Sequence, residues 1–240
     1  MNATAALLIY RNARLFDWRA IDWFPFAPEQ TAARCRTRSY VLMKRLIDLP
    51  IALLLIVLLA PLMLGVAAAV RFASPGPVLF RQRRLGRDGR PFDCLKFRSM
   101  RIDAEEALRR DPAIREKYIA NGYKLPESED PRMTRIGRFL RKTSLDELPQ
   151  LINVLRGEMS LVGPRPIVPA ELAEYGIRAD DFVAALPGIT GRWQVSGRSS
   201  IQYPFRAHLE LEYIYRWSPL LDLRILLLTL PVVLGRTGAY

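Results

Sequence analysis

The chain has 240 residues, half of them hydrophobic, with 36 lysines and arginines against 24 acidic residues. That length suits one ordinary domain with appendages, and a net charge of +12 calls for an anionic partner such as nucleic acid, lipid headgroups or phosphorylated small molecules. Cys35 and Cys94 are the only cysteines and His208 the only histidine, which argues against a disulfide framework or a Cys/His zinc site and fits a reducing cytosolic setting.

Met1 to Ala33 interleaves Arg11, Arg14, Asp17, Arg19 and Asp22 with short apolar pieces, so no cleavable signal sequence is expected there. Residues 1–40 are read as an extension without an assignable role. The run from Leu49 to Val70 (LPIALLLIVLLAPLMLGVAAAV) carries no charge, and as a helix it would reach roughly 30 Å, enough for a bilayer core. Lys44 and Arg45 precede it, while Arg71, Arg81, Arg83, Arg84 and Arg87 follow. Both flanks therefore read as cytosolic, and Pro61 removes a helical hydrogen bond in mid-run. The residues leave two readings open: a kinked full span, and a re-entrant hairpin over 41–73 bent at Pro61.

After SPGP (Ser74–Pro77), VLFRQRR and RPFDCLKFRSM flank Asp88-Gly89 in the manner of a basic β-hairpin. Helices are expected near Asp103–Arg110 and Pro112–Ala120, the second stopped by Asn121-Gly122, and an amphipathic pattern follows through Ile136, Phe139 and Leu140. Leu148, Leu151, Ile152 and Leu155 recur at helical spacing before Gly157, with the GPRP turn (Gly163–Pro166) behind them. PGITGRWQVSGR suggests a loop and short strand. An aromatic-rich helix with Tyr203, Phe205, Tyr213, Tyr215 and Trp217 is then expected near a membrane interface. The last apolar run, Ile225–Leu234, is too short to span and contains Pro231, so it should lie at the interface or pack on the domain. The sum is a mostly helical, membrane-associated α/β protein whose domain covers 74–240.

Asp146 and Glu147 stand together in TSLDELPQ, where Pro149 is tolerated only near a helix start. Capping explains them well: Asp146 as N-cap, or Ser144 with Glu147 as a capping box. The chemical alternative is a nucleophile, or a carboxylate that holds Mg²⁺ together with substrate phosphates. Arg141 and Arg165 can approach the same helix end, and arginine suits bidentate phosphate binding. Those two, with Arg98 and Arg198, also fit a solvated basic face. His208 receives no role.

These residues resemble the bacterial sugar transferases, the monotopic phosphoglycosyltransferases that act on undecaprenyl phosphate. The resemblance runs from Lys44 to Tyr240 through KRLID, SPGPVLFRQRRLG, KFRSM, RKTSLDELPQLINVLRGEMSLVGPRP, PGITGRWQVSGR, LLDLRILLLT and RTGAY. It implies a re-entrant membrane helix and interfacial helices carrying a small catalytic domain on the cytosolic face of the bacterial inner membrane. It further implies that Asp146 of the Asp146-Glu147 dyad attacks a UDP-sugar with Mg²⁺, releasing UMP. The phosphosugar then passes to polyprenyl phosphate, opening the assembly of a surface glycan. By motif position Arg141 and Arg165 would bind phosphate, with Arg98 and Arg198 as further candidates. A homodimer is left open, and nucleic acid is not expected as a partner. One member of that family carries serine before the helix-bending proline, whereas Ala60 precedes Pro61 here. The bend would then rest on Pro61 alone. A membrane-tethered, non-catalytic binder is the competing class, and it expects Asp146 to be dispensable.

Overall fold

A computed structural model describes residues 29–120, 125 and 130–234. Helix α1 (Glu29–Cys35) leads into α2 (Arg38–Ala73), the long apolar helix. Thr37 caps α2 by accepting the Tyr40 amide at 3.2 Å, so the helix begins three residues before the expected boundary. It continues through Pro50 and Pro61 to Ala73, 36 residues in all, or about 54 Å. Ala52, Val66 and Val70 are buried, with Ile56 and Met63 half-buried between them, while Leu53, Leu54, Val57, Leu58, Leu62 and Leu64 are exposed. One stripe at helical spacing therefore packs on the domain, and the remaining apolar surface is bare.

The domain meets that stripe twice. Ala52, with Ile51, Leu55 and Ile56, joins the main core of Val154, Leu161, Ile214 and Ile225. Val66 and Val70, with Met63 and Ala67, join a smaller cluster with Phe97 and Leu140. At the base of α2 the charges turn inward. Lys44 Nζ donates to the Val162 carbonyl at 2.7 Å and pairs with Asp222 at 2.6 Å. Arg45 donates to the Val154 and Leu155 carbonyls at 2.6 and 2.9 Å, and Asp48 accepts the Leu161 amide at 3.1 Å. Lys44 and Arg45, read from sequence as flanking topology charges, are thus structural clamps on backbone carbonyls.

The basic hairpin forms as expected. Strands β1 (Leu79–Leu85) and β2 (Pro91–Phe97) pair antiparallel from Leu79↔Phe97 to Leu85↔Pro91, and the connection takes left-handed φ at Asp88 and Gly89. Then come α3 (Ala104–Arg110), α4 (Pro112–Ala120), α5 (Arg135–Thr143) and α6 (Gln150–Arg156); Asn121-Gly122, expected to stop α4, lie outside the described residues. Asn153 on α6 covers the free edge of β2: it accepts the Leu95 amide at 3.0 Å and donates to the Asp93 carbonyl at 2.8 Å. An edge closed by a side chain is protected from pairing with another chain, and here it also fixes β2 against the helix that follows the dyad.

Strands β3 (Ser160–Val162) and β4 (Gly188–Thr190) form a short parallel pair, with a 3₁₀ stretch (Pro169–Arg178) and α7 (Ala179–Val183) between them. Gly163 and Gly188 approach so closely that a Cβ on either would strike the other's backbone neighbourhood. The segment read as a loop and strand, PGITGRWQVSGR, also contains a helix, α8 (Arg192–Ser196). Helices α9 (Phe205–Tyr215) and α10 (Pro219–Leu234) close the domain. Tyr213 and Tyr215 lie in the core rather than at a membrane interface, because Tyr213 donates to Asp222 at 2.7 Å and Tyr215 to Asp181 at 2.6 Å. Exposed apolar surface falls instead on α10, where Ile225 is buried while Leu220, Leu223, Leu227 and Leu230 are exposed. Phe139 of α5, expected to pack with Leu140, is also exposed.

Candidate active site

Helix α5 ends on Ser144 in the left-handed region, φ 57 and ψ 17. A 3₁₀ turn, Leu145–Glu147, follows it, and Pro149 precedes α6. Ser144 therefore closes one helix instead of opening the next, and neither helix start in this stretch has a side-chain cap. The capping explanation of the dyad fails on geometry. Asp146 and Glu147 sit on a tight turn between two helices, with Asp146 only 7% exposed.

Glu147 accepts Lys96 Nζ at 2.8 Å and faces Arg165 Nη1 at 3.5 Å. Arg198 donates to the Ser144 hydroxyl at 3.2 Å, and Arg141 Nε to the Ser99 hydroxyl at 3.1 Å. Arg141, Arg165 and Arg198 are thus all brought to the dyad turn or its immediate support. Arg98 is placed differently: its guanidinium donates to the Pro75 and Ser74 carbonyls at 2.6 and 2.7 Å, tying off the end of α2, so it serves as a structural fastener. Lys96 was not singled out from sequence, although KFRSM contains it. Its signal is strand alternation, since Lys96 and Cys94 are two apart on β2 and turn to the same side. With Arg84, Glu147, Gln150 and Arg165 they line a small hollow beside the dyad.

The electrostatics separate the two carboxylates. Burial, and then the neighbouring Glu147 charge, push Asp146 up to about 6 against the pull of Lys96, Arg141 and Arg165. Burial presses Glu147 the same way, but Lys96 and Arg165 outweigh it and hold Glu147 down to about 2. Adjacent acids driven apart in this way can divide roles, one permanently charged and one poised. Among the described residues no group of three or more His, Cys, Asp or Glu forms a metal cage. Glu147 is committed to Lys96 and Arg165, so Asp146 is the carboxylate of the dyad left to a cation. That donor set suits Mg²⁺, which takes one or two carboxylates and fills its shell with water and substrate phosphate.

The dyad thus lies beside Lys96 and Arg165 on a domain whose longest helix leaves an apolar face bare. The chain belongs to the bacterial sugar transferase family, whose pattern matches residues 39–236. It is 41% identical over 219 residues to the exopolysaccharide production protein ExoY of Sinorhizobium fredii, covering 90% of this chain and 95% of that one. It is 49% identical over 202 residues to a UDP-galactose-lipid carrier transferase of Erwinia amylovora, covering 82% of this chain and 42% of that one. A UDP-glucose:undecaprenyl-phosphate glucose-1-phosphate transferase of Escherichia coli is 40% identical over 196 residues, 78% of this chain and 39% of its own. The chain thus spans less than half the length of the Erwinia and Escherichia relatives.

Proposed function

We propose that the protein transfers a sugar 1-phosphate from a UDP-sugar to polyprenyl (undecaprenyl) phosphate, releasing UMP, as the first membrane step of an exopolysaccharide or related surface glycan. The observation that carries this reading is the geometry of the dyad: Asp146 buried on a tight turn between two helices, with Glu147 beside it paired to Lys96 and Arg165. The relatives' names supply the chemistry to test, with galactose and glucose donors first.

In this mechanism the ionised Asp146 attacks the sugar-bearing phosphorus of the donor. The bond from that phosphorus to the bridging oxygen breaks, and UMP leaves with the electron pair. An oxygen of polyprenyl phosphate then attacks the same phosphorus and displaces the Asp146 carboxylate, which restores the enzyme. Splitting the transfer in two avoids bringing both anionic substrates together at once. Lys96, Arg141 and Arg165 neutralise phosphate charge, and Glu147 keeps Lys96 and Arg165 in place. Asp146 is the residue that would hold Mg²⁺, which would supply further charge neutralisation.

The test is UMP release by the detergent-purified protein with Mg²⁺, undecaprenyl phosphate and a panel of UDP-sugars. Silence with every donor from folded protein would overturn the reading. The dyad also predicts a pH profile. At limiting UDP-sugar, UMP release should rise with pH as the Asp146 carboxyl, raised by burial and the Glu147 charge, gives up its proton, because only the ionised carboxylate is a nucleophile. Glu147→Gln removes a negative neighbour and should move the rising limb to lower pH. Lys96→Met removes a positive one and should move it higher. Coincident limbs in all three proteins would show that Asp146 does not govern the rate.

Membrane placement belongs to the same proposal. Both ends of α2 pack on one domain, which supports a helix that enters and leaves on the cytosolic face of the inner membrane, with Pro61 as the place where it gives. Cysteines introduced by Ser39→Cys and Ala73→Cys, on either side of the apolar run, should then both react with a membrane-impermeant maleimide from the cytosolic side. Labelling of the two from opposite sides would establish a full crossing.

A further inference from the structure

Arg165 lies between Pro164 and Pro166, neither of which has an amide hydrogen, so the Arg165 amide is the sole backbone donor of that Pro-Arg-Pro step. The turn is held at its ends, by the Gly163 amide on the Thr190 carbonyl at 2.9 Å and the Gly188 amide on the Pro164 carbonyl at 2.8 Å. Its middle donor goes to a side chain from another element: Glu210 Oε1 on α9 accepts the Arg165 amide at 3.0 Å.

Glu210 is 1% exposed, an environment that costs several kcal/mol for a carboxylate unless its oxygens are satisfied. They are. Tyr175 donates to Oε2 in a short hydrogen bond, and Arg206 Nε faces Oε1 at 3.5 Å. Arg206 reaches on to Glu171 at 3.2 Å, and Glu171 pairs with Arg84 of the hollow beside the dyad at 3.4 Å. Arg206 and Arg165 also approach the same Trp193 ring, with guanidinium carbons 4.6 and 5.6 Å from its centroid. The Arg165 side chain is therefore steered from two directions, by its own amide on Glu210 and by the Trp193 face, and it emerges 3.5 Å from Glu147.

We propose that Glu210 is a positioning residue that fixes the Pro-Arg-Pro turn so that Arg165 is presented to the dyad and to the phosphates of the nucleotide sugar. This rests on the transferase reading and adds to it a buried residue with no substrate contact. A scaffold role alone would lower the amount of folded protein while leaving each folded molecule unchanged. Positioning instead alters how the donor is held.

Four variants test this, with KM for the UDP-sugar and calorimetric affinity for UDP in Mg²⁺ as readouts. Glu210→Met, similar in length but without an acceptor, should raise KM about tenfold or more and weaken UDP in parallel, the effect of losing one hydrogen bond to a charged group. Glu210→Asp keeps the charge but withdraws it by one methylene; it should do the same and stands in if the Met variant does not fold. Glu210→Gln keeps an acceptor at the same reach and should return KM to within a few-fold of wild type. With Arg165→Ala already present, Glu210→Met should add no further increase, since residues acting through one contact are not additive. An unchanged KM in the Met and Asp variants, no recovery in Gln, or full additivity with Arg165→Ala would each overturn the assignment. Wild-type protein run alongside tests the transferase reading separately: absence of UMP release from it would count against that reading, whereas the UDP affinities would still report on Glu210.

Discussion

With Asp146 as the nucleophile proposed above, Asp146→Asn is expected to abolish UMP release, by about 10⁴-fold or more, because an amide cannot take the place of the attacking carboxylate. The same change should leave the fold intact and its melting temperature at pH 8 equal or higher. The reason lies in the direction of the proton shift. Folding raises Asp146 from its ordinary range to about 6 through burial and the Glu147 charge, so the ionised form is less favourable folded than unfolded. That cost is present above about 6 and is relieved as the pH falls through that value, the reverse of an acid held in an ordinary salt bridge. A neutral, similarly shaped asparagine removes it, a relief of about 1–3 kcal/mol. The combination of lost turnover and undiminished stability separates a chemical role from a capping one, since loss of a cap typically costs about 1 kcal/mol. An inactive variant that melts well below wild type would return Asp146 to structure, and an active one would remove it as the nucleophile.

Much of the scaffold was legible in the sequence because it depends on local rules. The hairpin follows from Asp88-Gly89, which take the left-handed angles such turns need. The end of α6 follows from Gly157, which is left-handed in the structure at φ 78. The middle of α2 follows from its uncharged run, Leu49–Val70, while the helix extends beyond it at both ends, to Arg38 and Ala73. What was not legible depends on partners distant in the chain. Lys44 and Arg45 look like flanking charges until Asp222, Val162 and Val154 are placed around them. Arg98, a phosphate candidate in the sequence, bonds the carbonyls of Ser74 and Pro75 at the end of α2, partners that its own motif does not display. Tyr213 and Tyr215 suggest an interface because their acceptors, Asp222 and Asp181, lie on other turns of the chain. The dyad itself was visible as a pair, but its division into a poised and a locked acid was not. That division needs Lys96, 51 positions away, to reach Glu147.

Lys44→Met should be among the most destabilising single changes in the protein. Lys44 is 1% exposed and joins three elements at once: Asp222 at the start of α10, the Tyr213 hydroxyl on α9 at 2.7 Å, and the Val162 carbonyl at the end of β3 at 2.7 Å. Removing it leaves Asp222 charged and buried, with only Tyr213 and the Trp217 ring N–H to hold it. A broken buried pair of this kind costs about 3–5 kcal/mol, or roughly 10 °C in melting temperature for a domain of this size. The double change Lys44→Met with Asp222→Leu removes both charges together and should recover most of that loss, since the desolvation of a buried pair nearly cancels its attraction. The latch also joins the two helices that carry the bare apolar faces, α2 and α10, and it grips Val162 of β3, the residue before the Gly163–Pro166 turn that carries Arg165. The double variant should therefore regain stability without regaining full transfer in membranes, because packed side chains restore burial but not the three-way hydrogen-bonded register. Thermal melts in detergent set beside UMP release in membrane vesicles decide the matter. A Lys44→Met protein as stable as wild type would show that the pair is not a latch, and a double variant with full transfer would show that the register it fixes is not needed by the site.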